Sequence, residues 1–175
     1  MVVHTHASYP LGHLTTAAWI GLRAGDKHYN ISQPGWAKFA WSSMFAPLNF
    51  GATVFVYKPN GRWSVARHTG LSNYHTLCTA DSSALIDTRR FARLPIFLAR
   101  MCQRRRALER RNHQDLEGRN WDTIADGYGQ TESTCMICNL PDSHVKFGSM
   151  RKPAFIYDTV IADEEGNCHC MKPAR

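Results

Sequence analysis

"SQPGWAKFAWSSMFAPLNFGATVFVY", residues Ser32–Tyr57, decides the fold class. Ser32 is a residue type that caps helices, and Pro34 suits a first helical turn. Trp36, Phe39, Ala40, Met44 and Leu48 recur at helical spacing and predict one apolar stripe, which Gly51 ends. Ala52–Tyr57, "ATVFVY", is then a continuous apolar run of the kind a buried strand needs. Helix, glycine, strand is the order of an α/β protein, with helices packed on sheets.

The same alternation extends to both sides. Residues 11–24, "LGHLTTAAWIGLRA", place Leu11, Leu14, Ala18 and Leu22 at helical spacing, and a turn and short extended piece follow. Further on, Thr123–Ser133, "TIADGYGQTES", predicts a short strand running into a polar loop. Phe147–Asn167 predicts a loop, a strand over Tyr157–Ala162 and an acidic turn ending in Glu165-Gly166-Asn167. Between these parts the periodicity fades from Lys58 onward, and 89–120 has neither a helical nor a strand period.

A length of 175 residues is that of one ordinary domain, and 43% hydrophobic with 20% charged residues can build a core. No apolar run is long enough to cross a bilayer, and "MVVHTHASYPLG" has no secretory pattern. The expected location is therefore the cytoplasm or the mitochondrial matrix. The six cysteines are scattered, so free thiols are expected rather than a disulfide framework. Cys135-x-x-Cys138 with Cys168-His169-Cys170 could be read as metal ligands. However, "TCMIC" follows a loop inside a globular pattern instead of closing a small loop-rich unit.

The net charge of +7 raises the question of an acidic partner. It comes from one segment holding Arg89, Arg90, Arg93, Arg100, Arg104, Arg105, Arg106, Arg110 and Arg111. A nucleic-acid footprint interleaves basic residues with aromatics or sets them on one helical face. No aromatic stands between Phe97 and Trp121. Binding of 89–111 to nucleic acid or an anionic surface is the alternative function, and it is the weaker one.

The chemistry concentrates in Asp126-Gly127-Tyr128-Gly129-Gln130-Thr131-Glu132. Glycines let a backbone approach a ligand, and such loops cradle phosphates. A threonine hydroxyl can bond a phosphate oxygen, and a nearby glutamate can hold Mg²⁺. On the residues alone, a surface turn rich in turn formers explains the same stretch.

"DGYGQTES", Asp126–Ser133, resembles the Tyr-Gly-Gln-Thr-Glu signature of the adenylate-forming (AMP-forming) acyl-CoA synthetases. Residues 1–57 are similar to the segment after the phosphate-binding loop in medium-chain and acetyl-CoA synthetase-like members. Residues 147–167 are similar to their Gly-Ser-Met-Gly-Lys-Pro stretch and the strand after it. The resemblance implies a ligase that joins ATP and a fatty or other carboxylic acid into an acyl-adenylate, then transfers the acyl group to coenzyme A. It implies an ATP site lined by Asp126, Gly127, Tyr128, Gly129, Gln130 and Thr131. Thr131 would reach phosphate, Glu132 would bind Mg²⁺, Tyr128 would pack near adenine, and Trp36 would border the acyl pocket. A core aromatic is the plain reading of Trp36. His4 and His6 follow the nucleotide loop in the family and read here as structural.

Departures from the family are also legible. Gln33 replaces an acidic residue, and Arg151 stands where glycine is usual. The family's phosphate loop would precede Met1, and its ribose-binding Asp, hinge and small domain with the catalytic lysine would follow Arg175. The expected object is thus an inner piece of the large domain, residues 1–167, inactive alone and of open oligomeric state. Residues 89–122 read as that domain translated out of frame: one base late, Met101–Arg106 permits the family's Cys-Val-Ser-Ala-Gly-Glu. Two bases late, Asn167–Lys172 permits Leu-Pro-x-x-Glu, which makes 168–175 an aberrant tail.

Overall fold

The computed structural model describes residues 1–32, 34–56, 76–79, 100–104, 124–141, 143–146 and 149–169. Gln33, most of the arginine segment and residues 170–175 lie outside them. Helix α1 (Ser8–Ile20) is followed by strand β1 (Lys27–Ile31). A helical run over 37–49 comes next, made of α2 (Ala37–Ala40), a π-helical turn (Trp41–Phe45) and α3 (Ala46–Asn49). Strands β2 (Thr53–Phe55), β3 (Thr76–Thr79), β4 (Arg100–Arg104), β5 (Ile124–Gln130), β6 (Thr134–Cys138) and β7 (Lys152–Pro153) complete a seven-stranded sheet in the order β2-β1-β3-β4-β5-β6-β7. Strands β8 (Ile161–Ala162) and β9 (Cys168–His169) form a separate antiparallel pair.

Five strands, β2 to β5 with β1, run parallel, and β5-β6-β7 turn antiparallel. The α/β class expected from Ser32–Tyr57 is therefore what forms, but several details differ. The first helix starts and stops earlier than 11–24 suggests. Gly21, at φ 73°, takes the left-handed cap conformation and donates to the carbonyl of Ala17. Leu11 is exposed, while Gly12, Thr15, Thr16 and Ala17 are buried. Small side chains let α1 press against both the sheet and the 37–49 run, so size rather than an apolar stripe sets its packing.

The apolar stripe predicted for the second helix does not face the core. Trp36, Met44 and Leu48 are 55%, 50% and 65% exposed, whereas Lys38, Trp41, Ser42, Ala46 and Pro47 are buried. The π-helical turn at Trp41–Phe45 adds a residue to one turn, which rotates everything after it away from a 3.6-residue spacing. Ser32 does not cap this helix. It begins at Ala37 with Trp36 as its cap, and it is Pro47 that occupies a first-turn position, in α3. Gly51, at φ 65°, ends the run as expected.

Strand β2 is an edge strand and not a buried one. Among the described residues it pairs only with β1, and Val56 after it is exposed. Of the strand expected over Tyr157–Ala162, only Ile161–Ala162 forms strand, paired with Cys168–His169. Residues 100–104 of the arginine segment do form a strand. β4 pairs in parallel with β3 on one side and β5 on the other, so the strand flanking the glycine stretch is present.

The core gathers Ala17, Trp19, Ile20, Leu22, Ala46, Ala52, Cys135, Cys138 and Ala154. Trp19 ties it to the sheet, its indole N–H donating to the carbonyl of Ala125 in β5 at 3.0 Å. On its other side the ammonium of buried Lys38 stands 4.1 Å from the Trp19 ring, a cation–π contact.

Candidate functional site

The carboxyl ends of the parallel strands share one edge of the sheet, the edge where open α/β sheets bind ligands. The chain leaving β1 at that edge leads to Trp36, and the chain leaving β5 is the turn Thr131-Glu132-Ser133. The topology thus brings the expected acyl-pocket residue and the expected nucleotide residues to the same side.

The glycine stretch is strand, not loop. β5 runs through Gln130 and continues past β4 as a hairpin with β6. The pairing slips between Tyr128 and Gly129, where a bulge leaves Met136 as the extra residue. A Cβ on Gly129 would overlap the Thr134 carbonyl, and one on Gly127 would stand 2.5 Å from Cε2 of Trp19. Both glycines are there to let other groups come close.

The expected ATP residues separate by exposure. Asp126 is 2% exposed, and Gly127 and Gly129 are buried with it. Tyr128, Gln130, Thr131 and Glu132 are exposed. Tyr128 and Gln130 lie on one face of the strand, where the Gln130 amide donates to the Tyr128 hydroxyl at 2.8 Å. Glu132 presents a carboxylate at the tip. Among the described residues no group of three or more His, Cys, Asp or Glu could hold a metal ion. One exposed carboxylate suits Mg²⁺ held mainly by substrate phosphates and water.

The turn itself is held by residues far away in sequence. The Tyr157 hydroxyl donates to the Ser133 carbonyl, and the His4 ring bonds the Thr131 carbonyl at 2.6 Å. Thr134, at φ 62°, donates to the Gly12 carbonyl of α1 at 2.8 Å and lies 3.2 Å from the Tyr157 hydroxyl. A β-branched residue in that conformation is strained. Here these two partners hold it there. Behind the hairpin, buried Asn139 donates from its backbone to the Asp126 carbonyl at 2.9 Å and from its amide to the Ser149 carbonyl at 2.9 Å. The glycine strand is thereby joined to the Ser149–Pro153 stretch.

Arg151, where the resemblance implies glycine, has φ 77°, in the left-handed region. Its N–H donates to the Ser149 hydroxyl at 3.1 Å, which fixes that conformation. Arg151→Gly is expected to stabilise the protein by about 1 kcal/mol, read as a raised urea midpoint. A lowered midpoint would show that the arginine side chain contributes more than the strain costs.

Sequence reasoning missed the Thr134, Tyr157, Asn139 and Gly12 contacts, since nothing in their types or spacing announces them. Two further groups are buried without charge. Burial pushes the His13 imidazole down to about 3, with His4 nearby adding to the effect. Burial also pushes His28 to about 3, helped by Lys38 and opposed by a backbone bond from Ser42. Cys135 and Cys138 are both buried and outside any disulfide, and the bond from Cys135 lowers the Cys138 thiol.

No protein-family model matches the sequence. Among curated proteins, the chain is 40% identical over 179 residues to 4-hydroxybutyrate–CoA ligase 1 of Metallosphaera sedula, covering 94% of this chain and 30% of that protein. It is 34% identical to the mitochondrial acyl-coenzyme A synthetase ACSM3 of Mus musculus, covering 95% of this chain and 30% of the relative. The chain therefore spans about 30% of the length of the curated relatives it matches. The structure of a benzoate CoA ligase from Burkholderia xenovorans superposes with a TM-score of 0.78 at 21% identity, over 97% of this chain and 36% of that one. That likeness establishes the same α/β fold.

Proposed function

Because this chain belongs, over the 30% of its relatives that it spans, to the AMP-forming acyl-CoA synthetase family, we propose that its hairpin is the nucleotide-binding part of such a ligase. The observation that carries this reading is the exposed Thr131-Glu132 tip at the carboxyl edge of the parallel sheet, held from both flanks. Tyr128 and Gln130 offer a face for adenine, while buried Asp126, Gly127 and Gly129 set the course of the strand. The Thr131 hydroxyl donates to a phosphate oxygen. Glu132 holds Mg²⁺, which when bound neutralises charge on the transferring phosphates. Trp36, exposed at the same edge, borders the carboxylic acid. The full reaction joins a fatty or other carboxylic acid to coenzyme A at the expense of ATP. These 175 residues supply binding and orientation and are not expected to turn over alone.

The test is ATP binding by calorimetry with and without Mg²⁺. Wild-type protein is expected to bind ATP only with Mg²⁺. Thr131→Ala should weaken binding about tenfold, and Glu132→Gln should lose most of the binding that Mg²⁺ enables. Binding indifferent to both substitutions would overturn the assignment.

A further inference from the structure

We propose that His4 is a positioning residue for the nucleotide turn, an inference that rests on the function proposed above. Its Nε2 lies 2.6 Å from the carbonyl oxygen of Thr131, 127 positions away in sequence. A carbonyl only accepts, so Nε2 carries the proton and donates.

The ring is not free to leave. It stacks on Tyr9 with centroids 4.1 Å apart and planes at 29°, and Tyr9 in turn packs edge-on against His13 and Phe45. The Tyr9 hydroxyl accepts from the Trp41 indole at 2.6 Å, which anchors it to the 37–49 run. On the backbone side, Thr5 and Ser8 cap each other reciprocally at the start of α1, so the residue next to His4 is fixed as well. His4 is thus a preset donor carried by α1 and aimed at the turn.

The Thr131 carbonyl is one end of a short span whose other end, the Ser133 carbonyl, is taken by Tyr157. With both carbonyls held, the peptide planes between them are fixed, and the Thr131 and Glu132 side chains are directed outward from a rigid base. Preorganised donors and charges bind a phosphate better than ones that must be ordered on arrival. Losing His4 frees the Thr131 peptide while leaving the core of α1 and the sheet in place.

The test compares His4→Ala with His4→Gln, whose amide reaches like Nε2 and also donates. His4→Ala is expected to weaken MgATP binding about fivefold to tenfold, and His4→Gln to recover most of the loss. Neither is expected to shift the melting temperature appreciably. Amide hydrogen exchange at Ser133, whose N–H donates to the Gln130 carbonyl, measured without ATP, should speed up about tenfold in His4→Ala only. Unchanged exchange, or His4→Ala binding MgATP as tightly as wild type, overturns the inference. If wild type binds no MgATP while the exchange effect appears, the functional reading fails and the positioning role stands.

Discussion

Acidification from pH 7 to pH 5 is expected to destabilise the protein by roughly 4 kcal/mol through two imidazoles alone. His13 and His28 are fully buried and stay neutral in the folded chain down to about 3. In the unfolded chain each takes a proton as the pH falls through 6.5. The unfolded state therefore binds more protons between these values. The stability is fully present above 6.5 and drains away as the pH falls toward 3. Each histidine loses about 2 kcal/mol over the two units from pH 7, set against the ~5–15 kcal/mol that holds a typical domain together. Urea midpoints at pH 7, 6 and 5 read this directly. His13→Phe keeps the stack on Phe45, whose ring is 5.0 Å away and nearly parallel, and should remove about half the slope. A midpoint that does not move between pH 7 and 5 would mean that water or another group meets these rings.

The next largest effect centres on Trp19. Trp19→Ala is expected to cost about 3–5 kcal/mol, because the ring is buried, bonded to Ala125 and covered by the Lys38 ammonium. Gly127→Ala is destabilising for the complementary reason: the new methyl would stand 2.5 Å from the indole. The two penalties share one contact, so they do not add. In the Trp19→Ala background the Gly127→Ala penalty should shrink by about 1–3 kcal/mol, measured by a double-mutant cycle in urea. Strict additivity would show that Gly127 is required for strand conformation and not for the indole's approach. Nucleotide affinity should fall together with stability in both single variants, since Ala125 and Gly127 lie in the strand that carries the tip.

Much of the fold was legible, and the reasons it stopped being legible are specific. Gly51 ends its helix because a residue tolerant of positive φ closes the cap, which is readable from type and place, whereas Gly21 closes α1 inside the 11–24 span that reads as helix and was missed. Met44 and Leu48 were misread because a π-helical turn has no signature in hydrophobic period, and Trp36 was misread because the helix starts only after it. Polar Thr15, Thr16, Ser42 and Ser43 are buried because close helix–sheet approach favours small side chains, whatever their polarity. Strand β4 was hidden because the arginines around it carry no alternation. At the site, Tyr128, Thr131 and Glu132 were singled out through the resemblance. The residues that hold them, from His4 to Tyr157, were not, because a contact between positions 4 and 131 has no local trace.

The connectivity of the sheet also dictates an order of assembly. β5 and β6 meet across the three residues Thr131–Ser133, while β1 finds β3 with His28 opposite Thr76, and β3 finds β4 with Leu77 opposite Met101. A short hairpin closes in about 1–10 μs, whereas pairings between distant segments wait on the entropy of closing long loops. The hairpin is therefore ready early, and the parallel pairings and the docking of α1 on β6, 122 positions apart at Gly12 and Thr134, arrive late. Until those pairings form, the bare strand edges are the surfaces through which a folding chain aggregates.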